Sequence, residues 1–213
     1  MKNLIIKDLT LAVHPTFYVF TALGALVLVP SYPFGAIFLF GCLASYISFQ
    51  YGRETQDVYF TALLPVSRKQ IVQSKVLLCV LCECVQLVIS VPFAALRPFL
   101  FPQGNVAGMD ANVAFYGFAF LAYGVYNAVF VSEFYKTAYK AGAAFVKAIV
   151  PVSVVIIVME TVSHIPAVSF IDGVSAANAI LQLPFLVVGL AVFAIGNIVA
   201  FRVGVRRFAV VDI

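Results

Sequence analysis

The feature that most constrains the fold is a run of 44 residues without Asp, Glu, Lys or Arg, which separates Asp8 from Arg53. A helix that crosses a bilayer needs about 20 mostly apolar residues, because the hydrocarbon core is about 30 Å thick and a helix rises about 1.5 Å per residue. The run therefore has room for two spans. A turn between them is predicted at 30–33, where two prolines flank a serine and a tyrosine.

The other apolar stretches predict four more spans, so the expected fold class is an all-α polytopic membrane protein with six transmembrane helices. Residues 1–213 are predicted to form a single transmembrane domain. Its parts are an interfacial helix at 1–14, spans one and two in 16–51, a cytoplasmic loop at 52–75, spans three and four in 76–134, spans five and six in 144–201, and a tail at 202–213. Span one, at 16–29, is short for a full crossing.

The distribution of charge predicts the orientation of these spans. Twelve of the thirteen Lys and Arg residues fall on one side of the membrane, and only Arg97, in a predicted outer loop at 97–111, falls on the other. Cytoplasmic loops carry the excess of Lys and Arg, because positive charge resists translocation. We therefore expect a multi-pass protein of the plasma membrane with cytoplasmic amino and carboxyl termini. No cleavable signal peptide is expected, since Lys7 and Asp8 interrupt the first apolar run.

Residues 2–14 have the pattern of an amphipathic helix that lies along the membrane surface. Leu4 and Leu9 belong to its apolar face, and Lys7 lies on the opposite face, where it is expected to point toward the lipid headgroups. Pro15 then allows the chain to turn into the bilayer. The alternative is a frayed amino terminus.

The cytoplasmic loop contains strong local signals. Pro65 disfavours helical geometry at the residue before it, so a helix is expected to end there. Ser67 and Gln70 have the spacing of a capping box, and Val66 and Ile71 have the spacing of a hydrophobic staple. The loop is therefore predicted to be a short helix, a sharp turn and a new helix that continues into span three.

Apolar residues stand among the charges of this loop, ahead of the proline. They are Val58, Tyr59, Phe60, Leu63 and Leu64. An exposed apolar group with a charged rim is typical of a docking surface for another protein. The alternative is a well-capped turn between two spans, which explains the capping residues but leaves the apolar ones unexplained.

The short amino-terminal helix, the six spans and an acidic loop that ends at 64–69 in Leu-Pro-Val-Ser-Arg-Lys resemble permease subunits of the type-2 ABC transporter family. The resemblance is closest to small permeases of Gram-positive bacteria, including exporters of cytolytic amphipathic peptides such as the phenol-soluble modulins. In that family the first cytoplasmic loop is the coupling helix that docks on the ATPase subunit. The resemblance implies a coupling helix at 54–64 and a returning turn at 65–69. The implied docking residues are Glu54, Asp57, Val58, Tyr59, Phe60, Leu63, Leu64, Pro65, Val66, Ser67, Arg68 and Lys69.

The chain itself is not expected to be an enzyme. It has no glycine-rich phosphate loop that ends in Gly-Lys-Ser or Gly-Lys-Thr, so ATP and Mg would be bound by a partner ABC ATPase subunit. Six spans make half of a translocation path, so a second copy or a close paralogue is expected as well. No cofactor and no metal is predicted for the chain, and no nucleic acid is expected as a partner. Cys79, Cys82 and Cys84 are interpreted as small apolar side chains within span three.

Polar residues within the spans are candidates for the substrate path. Glu83 is about ten residues into span three, where a carboxylate is costly unless it faces the bundle interior or an aqueous cavity, and Gln86 is one turn further on. Tyr123, Tyr126 and Asn127 place polar groups in span four. The alternatives are a protonated Glu83 bonded to a neighbouring helix and ordinary packing of the aromatic rings.

The leading prediction is a permease subunit of an ATP-driven exporter, with amphipathic, antimicrobial or cytolytic peptides as the expected cargo. A proton-coupled secondary carrier that uses Glu83 is one alternative. A membrane scaffold or immunity protein without transport activity is another. Only His14 and His164 are available as histidines, on opposite sides of the predicted membrane, which disfavours a membrane enzyme.

Overall fold

The computed structural model describes residues 1–211, and within them every element is a helix. The last two residues of the predicted tail lie outside this range. The eight α-helices are α1 (Lys2–Lys7), α2 (Thr16–Ala22), α3 (Gly35–Glu54), α4 (Asp57–Ala62), α5 (Arg68–Leu100), α6 (Val113–Phe134), α7 (Ala141–Ser163) and α8 (Ala176–Phe208). A π-helical turn extends α1 over Asp8–Ala12, a 3-10 helix extends α2 over Leu23–Leu28, and a second 3-10 helix covers Pro166–Ile171.

Within residues 1–211, five helices are long and apolar enough to cross a membrane, namely α3, α5, α6, α7 and α8. A sixth crossing exists only if the amino-terminal pair Lys2–Ala12 and Thr16–Leu28, bent by 102°, counts as one span. The chain is therefore a helical membrane protein with five or six crossings. The second half of the predicted span one winds as a 3-10 helix after Ala22, so this segment is split rather than a continuous α-helix.

Two helices extend beyond their predicted spans. Both α5 and α8 have 33 residues, which corresponds to about 50 Å of helix at about 1.5 Å per residue. Arg97 therefore belongs to the last turn of α5, and its predicted position in an outer loop was wrong. Its side chain is buried, and its guanidinium donates to the carbonyl oxygen of Val27 at 2.9 Å and lies 3.6 Å from the Asp110 carboxylate.

The closest helix pair in the bundle is α6 against α8, and glycines make the approach possible. Gly117 lies against Gly189, and Gly124 lies against Gly196, each pair one heptad from the next. A Cβ atom built on Gly196 would lie 2.1 Å from the carbonyl oxygen of Gly124. Small residues of this kind allow transmembrane helices to pack backbone against backbone.

Charged residues join the helices at the end of the bundle that holds the loop at 52–75. Glu133, near the end of α6, accepts hydrogen bonds from Lys136, Lys147 and Arg207 at 2.6–3.1 Å. Lys147 lies on α7 and reaches toward this end of the bundle. The cluster therefore connects α6, α7 and α8 beside the loop.

Candidate functional site

The candidate docking site is built on α4, which lies between the ends of two long helices. The predicted coupling helix at 54–64 was too long, because α3 continues through Glu54 and the chain breaks before α4 begins. The break occurs at Gln56, whose φ of 54° is left-handed and incompatible with a continuing helix. The helix that remains is Asp57–Ala62, and Glu54 is exposed at the end of α3.

The turn after α4 has the predicted chemistry. The backbone N–H of Gln70 donates to Ser67 Oγ at 3.3 Å, and the backbone N–H of Ser67 donates to Gln70 Oε1 at 2.8 Å, so the capping box is confirmed. Val66 and Ile71 line the same small cleft beside Leu63, as expected for a staple. Because this cap is satisfied locally, α5 starts at a fixed point directly after the turn.

The outer face of α4 and the turn exposes large apolar side chains. Tyr59 is 50% exposed, Phe60 53% and Leu63 70%, and these three residues form what we call the outer face of α4. Val58 and Leu64 are half-buried at its margins. Pro65, Ser67 and Lys69 are exposed beyond it. These side chains form an apolar surface with a polar rim on a short, well-defined helix.

The inner face of α4 carries buried charges. Asp57 accepts a hydrogen bond from Lys7 Nζ at 2.5 Å, and its other oxygen lies 2.6 Å from Lys75 Nζ in an ion pair. Asp8 in turn lies 2.9 Å from Lys7 and 3.0 Å from Lys75. We call Lys7, Asp8, Asp57 and Lys75 the four-charge ring, since each aspartate contacts both lysines and the net charge is zero.

Hydroxyl groups complete this ring. Lys7 also donates to Thr61 Oγ1 at 2.7 Å, and the Ser74 hydroxyl donates to the second carboxylate oxygen of Asp8. The expectation that Lys7 points toward the lipid headgroups was wrong: only 12% of its side chain is exposed, because it contacts Asp57 and Thr61 on the side of α4 that faces the bundle. Asp57 likewise faces inward, so it does not belong to the outer face.

The ring determines the ionisation of Asp57. Burial by itself would raise the pKa of Asp57, but Lys75 and Lys7 outweigh it and hold the pKa below its ordinary value of 3.8. A carboxyl whose pKa is lowered on folding stabilises the fold above its ordinary pKa. That contribution is lost as the pH falls below 3.8 and through the folded value. Asp57 is therefore ionised at neutral pH, as the ring requires.

Arg68 connects the turn to the far end of the chain. Its guanidinium donates to the carbonyl oxygens of Phe208 at 2.7 Å, Ala209 at 2.9 Å and Val211 at 3.0 Å. It also lies 5.4 Å from the centre of the Phe208 ring. Phe208 is the last residue of α8 and the other two residues follow it, where the helix itself supplies no further donors. Arg68 therefore caps α8, and it contributes less to an outward surface than its sequence position suggested.

A cleft of about 560 Å³ lies beside α4, between the end of α3 and the segment that joins α6 to α7. Arg53 reaches across it, with its guanidinium 5.2 Å from the centre of the Tyr139 ring. Tyr59 belongs both to the outer face of α4 and to the lining of this cleft. The convex apolar helix and the concave polar cleft thus form one continuous surface.

The predicted path residues are all in the interior of the bundle. Glu83, Gln86, Tyr123, Tyr126 and Asn127 are each 0% exposed. Asn127 donates to Glu83 Oε2 at 2.8 Å and to Asn197 at 3.1 Å, and the Tyr123 hydroxyl donates to Gln86. Tyr126 donates to the carbonyl oxygen of Cys42 at 2.8 Å. The residues thus form three separate interhelical hydrogen-bond groups, and a role in a substrate path stays a prediction.

A bundle of long apolar helices with a short exposed helix between two of them is the architecture of a polytopic membrane protein. The model of the ABC-2 family transporter protein family matches residues 3–203, nearly the whole chain. The chain therefore belongs to the ABC-2 transporter family. No curated protein and no solved structure matches it significantly.

The sequence interpretation missed the four-charge ring. A signal was present, since Leu4, Asp8 and Ala12 recur at every fourth residue and so share a helical face. All three are buried, and a charge on a buried face needs a partner. However, Lys75 lies 67 residues from Asp8 and Asp57 lies 50 residues from Lys7, and spacing within one helix does not predict such contacts.

Proposed function

We propose that this protein is the permease subunit of an ATP-driven exporter and that the outer face of α4 docks on a separate ABC ATPase subunit. The observation that carries the proposal is the contrast between the two faces of α4. Its inner face is fixed by buried ion pairs, whereas its outer face presents Tyr59, Phe60 and Leu63 without cover from the described chain.

The residue types on this face support a protein partner. Buried aromatic side chains are enriched among the residues that contribute most to protein–protein affinity. In the proposed orientation these side chains project into water, because twelve of thirteen Lys and Arg residues place the loop in the cytoplasm. The cleft beside Tyr59 supplies polar groups at the edge of the same surface, as the rim of an interface requires.

The rest of the assembly follows from family membership and from the absence of a phosphate loop in the sequence. ATP and Mg would be bound by the ATPase subunit, and a homodimer or heterodimer of permeases would form the complete path. Both termini would lie in the cytoplasm. Amphipathic peptide is the proposed cargo, and the resemblance to small Gram-positive peptide exporters supports it.

Leu63→Asp is expected to lower the capture of the partner ATPase by at least about tenfold, because a charge replaces a 70% exposed apolar side chain in the proposed interface. The measurement is co-purification of candidate ATPases with tagged permease. Val106→Asp is the matched control, since Val106 is 75% exposed in the segment at the opposite end of α5. If the native protein captures no ATPase, or if both variants capture it equally, the docking proposal is wrong.

Glu83→Gln is expected to lower peptide export by about tenfold, equivalent to about 1.4 kcal/mol, if Glu83 contributes its charge or its proton to the path when the bundle opens. The amide has nearly the same size, so folding and ATPase capture should be retained. The measurement is ATP-dependent uptake of a labelled amphipathic peptide into inverted vesicles. Export at the native rate would remove Glu83 from the path and leave it a structural partner of Asn127.

A further inference from the structure

We infer that the four-charge ring makes the amino-terminal helix a moving part of the coupling machinery. In this proposal α1, α4 and the start of α5 move as one unit when the ATPase acts on α4. Lys7, Asp8 and Lys75 are then positioning residues for transport, although they do not touch cargo or nucleotide. The inference rests on the proposed docking function of α4 and adds the route by which its motion enters the bundle.

The ring joins three segments that are distant in sequence. Lys7 and Asp8 come from the amino-terminal helix, Asp57 from α4 and Lys75 from the second turn of α5. All four Lys–Asp combinations lie between 2.5 and 3.0 Å. A displacement of one segment therefore stretches two ion pairs at once.

Burial makes this connection stiff. Asp8 is fully buried, and the side chains of Asp57 and Lys75 are each 7% exposed. Opening the ring would leave a charge in the interior without its counter-ion, which is far more costly than separating an exposed pair. The three segments are thus expected to follow one another rather than to slide apart.

The amino-terminal helix is well placed to pass the motion onward. Leu4 and Ala12 are buried, whereas Ile6 and Leu11 on the other side are exposed, so one face of this helix is held by the protein. At its end the chain bends by 102° into Thr16–Leu28. Arg97 on α5 in turn binds the carbonyl oxygen of Val27 at the far end of that segment. A shift of α1 would therefore act on the first membrane segment.

The alternative is a static clamp that only holds α1 in place. The two ideas differ in the response of α1 to nucleotide. Hydrogen exchange of backbone amides reports local opening of a segment, and it needs no knowledge of the cargo. The experiment compares the permease–ATPase complex in lipid nanodiscs with and without ATP, Mg²⁺ and vanadate.

In the native complex, nucleotide is expected to change exchange by about tenfold both at 57–62 and at 2–12. In Lys7→Met the change at 57–62 should persist and the change at 2–12 should shrink, because Lys7 provides the ion pair and the hydroxyl contact from α1 to α4, whereas Asp8 still contacts Lys75. Lys7→Arg should restore it by keeping the charge. Lys2→Met is the control, since Lys2 is exposed on the same helix.

The outcome that overturns the inference is a native complex in which 57–62 responds to nucleotide and 2–12 does not. Retention of the full response at 2–12 in Lys7→Met would overturn it as well. The native comparison decides the question even if Lys7→Met does not fold. Failure of the native permease to bind any ATPase would instead contradict the proposed docking function, so the two failures are distinguishable.

Discussion

Lys75→Met is expected to destabilise the protein by about 3–5 kcal/mol, the usual effect of removing one partner from a buried ion pair. Lys75 neutralises both Asp8 and Asp57, at 3.0 and 2.6 Å. Its loss leaves two buried carboxylates with only Lys7 between them. Since methionine replaces the aliphatic stem well, the missing charge is the main change. The measurement is reversible unfolding in mixed micelles with increasing SDS.

A matched control for this variant lies on the same helix. Lys69→Met removes an exposed lysine at the start of α5 and is expected to change stability by less than about 0.5 kcal/mol. Adding Asp8→Asn to Lys75→Met should recover part of the loss, because it removes the one excess negative charge that Lys75→Met leaves in the ring. Equal stability of Lys75→Met and Lys69→Met would show that the ring does not hold the fold together.

Gly196→Ala is the second variant with a large expected effect. A Cβ atom at this position would lie 2.1 Å from the carbonyl oxygen of Gly124, and backbone cannot yield as a flexible side chain does. The α6–α8 contact must therefore open, and overpacking of this kind costs about 1–3 kcal/mol or more. We expect the free energy of unfolding measured in SDS to fall by that amount and the yield of monodisperse protein to be lower.

The control for Gly196→Ala is a glycine at which alanine is not expected to lower stability. At Gly142, near the start of α7, an added Cβ would meet only the hydroxyl of Tyr46, at 3.9 Å. Gly142→Ala should therefore leave stability unchanged or raise it slightly, because alanine is the better helix former by up to about 1 kcal/mol. A Gly196→Ala protein as stable as Gly142→Ala would contradict the close packing of α6 on α8.

Local sequence signals predicted the parts of the fold that depend on neighbours in the chain. The capping box at Ser67 and Gln70 was predictable because all of its donors and acceptors lie within four residues. The membrane class was predictable because hydropathy and the run after Asp8 require it. The left-handed conformation of Gln56 was not predictable, since glutamine has no preference for that conformation. The predicted coupling helix was therefore too long at its start.

The candidate site was less predictable because its contacts are distant in sequence. The exposed residues Tyr59, Phe60 and Leu63 were identified from their position among charges. The inward direction of Asp57 and the contacts of Arg68 with the end of α8 depend on partners up to 143 residues away. From the sequence alone, Lys7 is equally compatible with a contact to lipid headgroups and with an ion pair. The position of α4 decides between the two. The loop at 52–75 therefore divides into exposed residues and anchor residues only when the fold is known.

The most direct test of the docking account is photo-crosslinking from Phe60, a half-exposed residue in the centre of the outer face. A benzophenone analogue of phenylalanine at this position changes the surface little, and Val106 in the segment after α5 provides the control position. The account predicts that, on illumination of the native assembly, position 60 becomes joined to an ABC ATPase subunit and position 106 does not. An ATPase that crosslinks at position 106, or an ATPase bound to the permease that does not crosslink at position 60, would contradict it.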